Sequence, residues 1–165
     1  MNYLEDPVAV KCIDWALKSK AKVGFGAVLL DEEGKILGEG RNRRSIHGEN
    51  DLLGGGVDYA VHAEQASVLE AIRRGHILPG SLLHVIGVIM KGPQKGFWSM
   101  RPSEENNYFS CIRCAKMFVR LGINVAIPLP SGWHVLSAEH ALESARELKR
   151  SGRKLEFTKP PIELL

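Results

Sequence analysis

The sequence predicts one α/β domain, in which helices cover a largely buried sheet. Segments with apolar residues at helical spacing alternate along the chain with short, near-continuous apolar runs that are typical of strands. The 165 residues suffice for a single domain with a sizeable core. No repeat, low-complexity segment or linker divides the sequence, so we expect residues 1–165 to fold as one unit.

In the first half of the chain, the apolar pattern predicts a helix, a hairpin and a second helix. The hairpin joins two apolar strands through Gly34, which can adopt the positive φ of a tight turn. The second helix follows a long polar stretch and ends at Gly75, a typical C-cap residue. These elements cover residues 4–19, 23–30, 35–41 and 61–74.

The second half alternates strands and helices. A near-continuous apolar run predicts a buried strand, and two helices follow, one ended by Gly122 and the other capped by Ser137. Because helices separate the last three strands, we expect these strands to lie parallel. The loop over 91–110 is long enough to be a lid or binding loop. The elements cover residues 81–90, 111–121, 123–129, 137–149 and 154–158.

Composition and charge exclude several classes of protein. The residues are 44% hydrophobic and 25% charged, as in ordinary globular domains. The net charge of +3 does not indicate a protein that coats nucleic acid, so a small molecule is the favoured partner. No apolar run is long enough to span a membrane, and Met1–Pro7 lacks the pattern of a secretory signal. We therefore expect a cytoplasmic protein without membrane contact.

Two short motifs carry the chemistry. His62-Ala-Glu64 lies at the start of one predicted helix, and Cys111-Ile-Arg-Cys114 lies at the start of another. Zinc prefers tetrahedral nitrogen and sulfur ligands, and one histidine with two cysteines leaves the fourth position for water. The positive end of a helix also favours thiolates. We therefore expect His62, Cys111 and Cys114 to hold Zn²⁺. Glu64, two residues from His62, is then placed to move protons.

An H-x-E motif followed by C-x-x-C resembles the cytidine and deoxycytidylate deaminase superfamily. The resemblance extends over nearly the whole chain, because Phe25-Gly-Ala-Val-Leu29 and Gly38-Glu-Gly-Arg-Asn42 are similar to the family's first hairpin. It implies a three-layer α/β/α sandwich around a five-stranded mixed sheet. The layout resembles the deoxycytidylate and tRNA-adenosine branch, where the last strands are parallel. It further implies zinc-dependent hydrolytic deamination by a homodimer or homotetramer.

The same resemblance implies a substrate pocket. The family's asparagine at the end of the second strand lines this pocket, and Asn42 is the matching residue. The backbone N–H of Ala63 and the carboxylate of Glu64 would hold the base ring. Phe25 and Ser110 are further candidates for substrate contact. Ser110 stands where the family has proline before the first cysteine, a difference that removes no metal ligand.

Several other residues have two interpretations. Trp98, in the long loop, is a candidate to stack on a base, and the alternative is that it anchors the loop on the core. Arg41, Arg43 and Arg44 form a small basic cluster that either contacts a phosphate or solvates the end of the hairpin. Cys12 is expected to be a buried helix residue and not a fourth zinc ligand.

The preferred substrate is a cytosine-containing nucleoside or nucleotide of the CMP or dCMP type. A tRNA adenosine, guanine and free cytosine are alternatives, and the first needs a basic surface that a net charge of +3 does not promise. From another class of protein, the zinc could stabilise a non-catalytic binding module. Glu64 argues against that, because a purely structural zinc site needs no carboxylate beside it. Pocket shape and the loops over 43–60 and 91–110 decide between substrates.

Overall fold

The structure, a computed structural model, describes residues 1–44, 60–99, 110–152 and 157–159. In chain order, the helices and strands are α1 (Pro7–Leu17), β1 (Val23–Leu30), β2 (Ile36–Arg41), β3 (Arg43–Arg44), β4 (Ala60–Val61), α2 (Ala63–Arg73), β5 (Leu82–Ile89), α3 (Ile112–Leu121), β6 (Asn124–Leu129), β7 (Gly132–Leu136) and α4 (Ala138–Ser151).

The central sheet has five strands in the order β2-β1-β5-β6-β7. β1 runs antiparallel to β2 and to β5, whereas β5 and β6 are parallel. β3 and β4 form a separate two-stranded pair, which places Arg43 opposite Val61. The prediction of a five-stranded mixed sheet is therefore confirmed. The antiparallel hairpin formed by β1 and β2 is also confirmed.

Helices cover both faces of this sheet. Successive strand residues point to opposite sides, so the strands pack apolar side chains against helices on each face. Val28 packs with Cys12 in a buried cluster beneath α1. Its neighbour Leu29 packs on the other face, in a larger cluster with Leu69 of α2 and Phe118 of α3. α4 contributes to this second cluster as well. The result is three layers, with α1 on one side and α2, α3 and α4 on the other.

Two glycines allow the helices to approach the first hairpin closely. A Cβ atom on Gly26 would overlap the carbonyl oxygen of Cys12 in α1. A Cβ atom on Gly38 would overlap the carbonyl oxygen of Ser67 in α2. Any side chain at either position would push a helix away from the sheet. The glycines that mark this hairpin in the sequence therefore set the spacing between the three layers.

The prediction for the last strand is wrong. The fifth strand is β7, which follows β6 after a turn over residues 130–131 and runs antiparallel to it. So short a connection can join only antiparallel neighbours. Of the predicted strand over 154–158, residues 154–156 lie outside the described residues, and Thr158 forms an isolated bridge with Trp98. The last strands are thus not all parallel, so the likeness in layout to the deoxycytidylate and tRNA-adenosine branch loses its basis.

The four described helices agree with the predicted ones to within a few residues at each end. The predicted cap at Ser137 is present, because its Oγ accepts a hydrogen bond from the His140 N–H at 3.2 Å. Gly122 ends α3 with a φ of 68°, as the sequence predicts. Among these helices, none is long and apolar enough to cross a lipid bilayer.

Candidate active site

The two sequence motifs meet at the N-termini of α2 and α3. Each helix precedes one of the two parallel strands, β5 or β6, so both helices begin at the carboxyl edge of those strands. His62 is the N-cap residue of α2, and Cys111 is the N-cap residue of α3. Both have extended backbone, with φ/ψ of −74°/159° and −71°/160°. Side chains at these positions lie beside the free N–H groups of the first helical turn.

The proposed metal ligands lie close together. Nδ1 of His62 is 3.4 Å from Sγ of Cys111 and 3.4 Å from Sγ of Cys114. Tetrahedral zinc places nitrogen and sulfur ligands roughly 3.6 Å apart, given its usual bond lengths. Within the described ranges, these three residues form the only group of metal-binding side chains, and no fourth ligand joins it. The donor set and its spacing therefore fit Zn²⁺, as the sequence predicts.

The electrostatics of the two cysteines also suit a metal site. Hydrogen bonds from Cys114 and His62 lower the pKa of Cys111 to about 4, so this sulfur is a thiolate at neutral pH. The backbone N–H of Cys114 also points at it, at 3.5 Å. Cys114 carries the proton of the shared hydrogen bond, and this contact together with burial raises its pKa. A metal that binds both sulfurs must displace this remaining proton.

Glu64 lies in the first turn of α2 and is almost fully buried, at 5% exposure. Burial raises the pKa of its carboxyl group above the usual value. Its Oε1 accepts a hydrogen bond from Oγ of Ser110 at 2.5 Å. A carboxyl group with a raised pKa binds a proton more readily than a free one, which suits a group that both takes and returns a proton. Ser110, which the sequence suggests as a substrate contact, therefore lies against Glu64.

A cavity opens in front of His62 and Glu64. Its walls include Phe25, Asn42 and Ala63, three residues that the sequence singles out for substrate binding. The structure thus brings residues from the first hairpin and from α2 to one place. A second, smaller cavity also borders His62 and has Ser110 in its wall.

Asn42 holds the end of the hairpin next to this cavity. Its Oδ1 accepts a hydrogen bond from the Phe25 N–H at 2.8 Å, and its Nδ2 donates to the Val23 carbonyl at 2.9 Å. The amide group retains one further N–H and one further lone pair. Asn42 therefore shapes the wall through the backbone of β1 and still has hydrogen-bonding capacity for a ligand.

The expectation that Trp98 stacks on a base is wrong. Trp98 is 1% exposed and belongs to the cluster beneath α1, on the sheet face opposite α2 and α3. Its ring packs edge-to-face on Tyr3, with centroids 5.6 Å apart. Its backbone pairs with Val88 of β5 and with Thr158. This part of the loop is held against the sheet, so the alternative, an anchoring role, is correct.

Three further residues near the site are not among those that the sequence predicts. Lys20 lines the cavity together with the basic cluster of the hairpin. Gln65 accepts a hydrogen bond from the backbone of His62, and Arg113 donates one to Gln65. The position of Gln65, three residues after a helix N-cap, is a known signal for such a contact. Lys20 and the reach of Arg113 had no comparable local signal.

One family model matches most of the chain. It is described as "Cytidine and deoxycytidylate deaminase zinc-binding region" and matches residues 7–127, which include both motifs. No curated protein sequence matches the chain. A solved cytidine deaminase from Burkholderia pseudomallei is 16% identical over 79% of this chain and 92% of its own, with a TM-score of 0.48. A dCMP deaminase from the cyanophage S-TIM5, in complex with dCMP and dUMP, is 20% identical over 84% of this chain and 82% of its own, with a TM-score of 0.41.

Proposed function

Because this chain belongs to the cytidine and deoxycytidylate deaminase family, we propose that it hydrolyses the exocyclic amine of a nucleobase, with Glu64 as the group that moves protons. The observation that carries this proposal is the placement of a buried carboxylate beside a set of three metal ligands. Three protein ligands leave one tetrahedral position for a reactant, as in catalytic zinc sites. A non-catalytic binding module would have no use for the carboxylate.

The chain's own residues suggest how the reaction proceeds. Zn²⁺ held by His62, Cys111 and Cys114 would supply Lewis acidity to the site. Glu64 accepts a proton from the attacking water and gives it to the ring nitrogen. It then transfers the remaining proton of the added hydroxyl to the leaving amine, so that ammonia departs and a carbonyl remains. Ser110 holds Oε1 of Glu64, which leaves Oε2 for the proton transfers.

The cavity wall supports a planar substrate with polar edges. Phe25 offers an aromatic surface, and Asn42 retains hydrogen-bonding capacity after it has bonded to β1. By the family resemblance, the backbone N–H of Ala63 holds the base ring together with Glu64. Phe25 lies on β1, Ala63 and Glu64 lie in the first turn of α2, and Asn42 is hydrogen-bonded to β1, so regular elements keep the pocket in place.

The charge around the cavity favours a nucleotide over a free base or a nucleoside. Its described lining includes Lys20, Arg41, Arg43 and Arg44, whereas Glu64 is the one acidic residue of that lining. Guanidinium groups recognise phosphate through charge-assisted hydrogen bonds. We therefore propose a cytosine nucleoside monophosphate as the substrate, with its phosphate directed towards these cations.

The deciding experiment measures ammonia release by the zinc-loaded protein, with Glu64→Ala as the control. Matched pairs of cytidine with CMP and of deoxycytidine with dCMP test the phosphate. Cytosine, adenosine, guanine, tRNA and single-stranded oligonucleotides test the other bases and larger substrates. We expect release from CMP or dCMP that depends on Glu64. Equal rates for nucleoside and nucleotide would contradict the phosphate site. No ammonia release from any of these compounds would contradict the proposed deaminase activity.

A further inference from the structure

We propose that Gln65 and Arg113 are positioning residues that hold His62 in place for the metal. This inference rests on the metal site and not on the proposed reaction. The ligands come from two separate helices, with His62 before α2 and Cys111 before α3. Contacts within the protein must hold the two helix N-termini in place before the metal binds. Otherwise part of the free energy of zinc binding would be spent on ordering them.

Gln65 fixes the backbone of His62. It is 1% exposed, and its Oε1 accepts a hydrogen bond from the His62 N–H at 3.0 Å. A glutamine at the third position of a helix satisfies the free N–H of the N-cap residue in this way. The His62 carbonyl accepts the first hydrogen bond of α2, from the Ala66 N–H at 2.9 Å, but its own N–H has no acceptor within the helix. The contact with Gln65 therefore restricts where the imidazole can lie.

Arg113 connects this arrangement to the cysteines. It lies between Cys111 and Cys114 in the first turn of α3, and its Nη2 donates to Oε1 of Gln65 at 3.1 Å. The same nitrogen donates to the Ala60 carbonyl at 3.0 Å. One guanidinium group thus reaches from the turn that carries both sulfurs to the two segments that flank His62. Its planar fork of donors suits such bridging better than a lysine would.

The geometry has a direct consequence for metal binding. If Oε1 of Gln65 lost its acceptor role, His62 would gain freedom and the link to the sulfur-bearing turn would be lost as well. Residues that orient metal ligands typically alter metal affinity by about 10-fold to 100-fold when they are replaced. We expect Gln65 and Arg113 to act mainly on the rate at which zinc leaves, since both hold the ligand set in its bound arrangement.

The test measures zinc release into an excess of a chromophoric chelator, with no substrate present. Gln65→Met and Arg113→Met should each release zinc about 10-fold faster than the wild-type protein. The double variant should be no faster than the faster single variant by more than about twofold, because both substitutions remove one shared contact. With Co²⁺ in place of zinc, the visible spectrum should also change in the single variants.

Matched controls separate positioning from general destabilisation. Gln65→Glu keeps an acceptor at the same position and should restore release to within about threefold of wild type. Arg74→Met removes an arginine at the other end of α2, where Nη2 pairs with Glu70 at 2.6 Å, and should leave zinc release unchanged. Far-ultraviolet circular dichroism checks that each variant is folded.

Three outcomes would overturn the proposal. The first is wild-type release from both single variants, and the second is a double variant whose effect equals the product of the two single effects. The third is an increase in the rate of zinc release in Arg74→Met that equals the increase in Arg113→Met. If Gln65→Met does not fold, the comparison of Arg113→Met with Arg74→Met decides alone. Zinc release is measured without turnover, so an absence of deaminase activity would leave this test intact.

Discussion

Oγ of Ser110 donates a hydrogen bond of 2.5 Å to Oε1 of Glu64, which joins the residue before the first cysteine to the proposed proton-transfer group. Both residues are buried. The two sequence motifs are therefore connected through a side chain that binds no metal. Since Glu64 would act through its second carboxylate oxygen, this contact decides which way that oxygen faces.

Replacement of Ser110 with alanine should lower kcat more than it raises KM. Glu64 would lose the donor at Oε1 and with it a fixed orientation, and we expect kcat to fall by about 10-fold. Zinc content, measured by atomic emission, should stay at the wild-type level. Ser110→Thr keeps the hydroxyl and should recover most of the rate. An unchanged kcat in Ser110→Ala would show that the contact has no role in turnover.

Replacement of Glu64 with glutamine should abolish turnover while zinc stays bound. The amide cannot accept a proton from water, and general acid–base catalysis typically contributes about 10²-fold to 10⁴-fold. Ammonia release and zinc content are measured on the same sample. Glu147→Gln, an exposed change on α4, is the matched control and should retain full activity. Turnover in Glu64→Gln close to the wild-type rate would refute the assigned role.

Replacement of Cys111 with alanine should remove the metal and lower the stability of the protein. Metal binding and folding are coupled when ligands come from separate segments, so the melting temperature should fall and should no longer respond to a chelator. Cys12→Ala is the matched control, because Cys12 is fully buried on the inner face of α1 and does not belong to the ligand group. It should retain one zinc per chain. Full zinc occupancy in Cys111→Ala would mean that the ligand set is wrong.

Replacement of Arg41 with glutamine should raise KM for a nucleoside monophosphate and leave KM for the nucleoside nearly unchanged. Arg41 lines the cavity, and a charge-assisted contact with phosphate is worth about 10-fold or more in binding. The measurement compares both substrates with both proteins. Arg120→Gln on α3, where Arg120 is exposed, should change neither value. Equal increases for nucleoside and nucleotide would place the phosphate elsewhere.

His84 should make the protein less stable as the pH falls below neutrality. Burial lowers the pKa of His84 from 6.5 to about 4, and its ring packs edge-to-face on Trp133, with centroids 4.7 Å apart. At pH values between these two pKa values, His84 is therefore protonated in the unfolded chain and neutral in the folded chain. In this window, the free energy of unfolding should fall by about 1.4 kcal/mol per pH unit through this group.

Urea unfolding at several pH values between 6.5 and 4 measures that slope. His84→Gln has no titrating group at this position and should show a shallower decline than the wild-type protein. His140→Gln, a change of an exposed histidine on α4, tests whether the effect belongs to the buried position. Identical slopes in the wild-type protein and in His84→Gln would contradict the assignment.

Local signals made much of the fold predictable. The helices follow from apolar spacing and from caps such as Ser137, which bonds to a residue three positions later. The ligand set follows from two short motifs whose residue types suit zinc. The strand β7 was missed because its residues are mostly half-buried or exposed, so they lack the apolar run that reveals a strand. Its pairing depends on β6 and not on its own composition.

Residue types and spacing in the sequence are enough to predict the candidate metal ligands, the carboxylate beside them and the helices that present both. The groups that hold these residues in place are visible only in the folded chain. The hydrogen bonds of Ser110 with Glu64 and of Arg113 with Gln65 join residues 46 and 48 positions apart. Trp98 likewise lies beneath α1 because its backbone pairs with β5. Helical spacing and caps act within a few residues and can be recognised in a sequence, whereas these contacts exist only once distant segments have packed together.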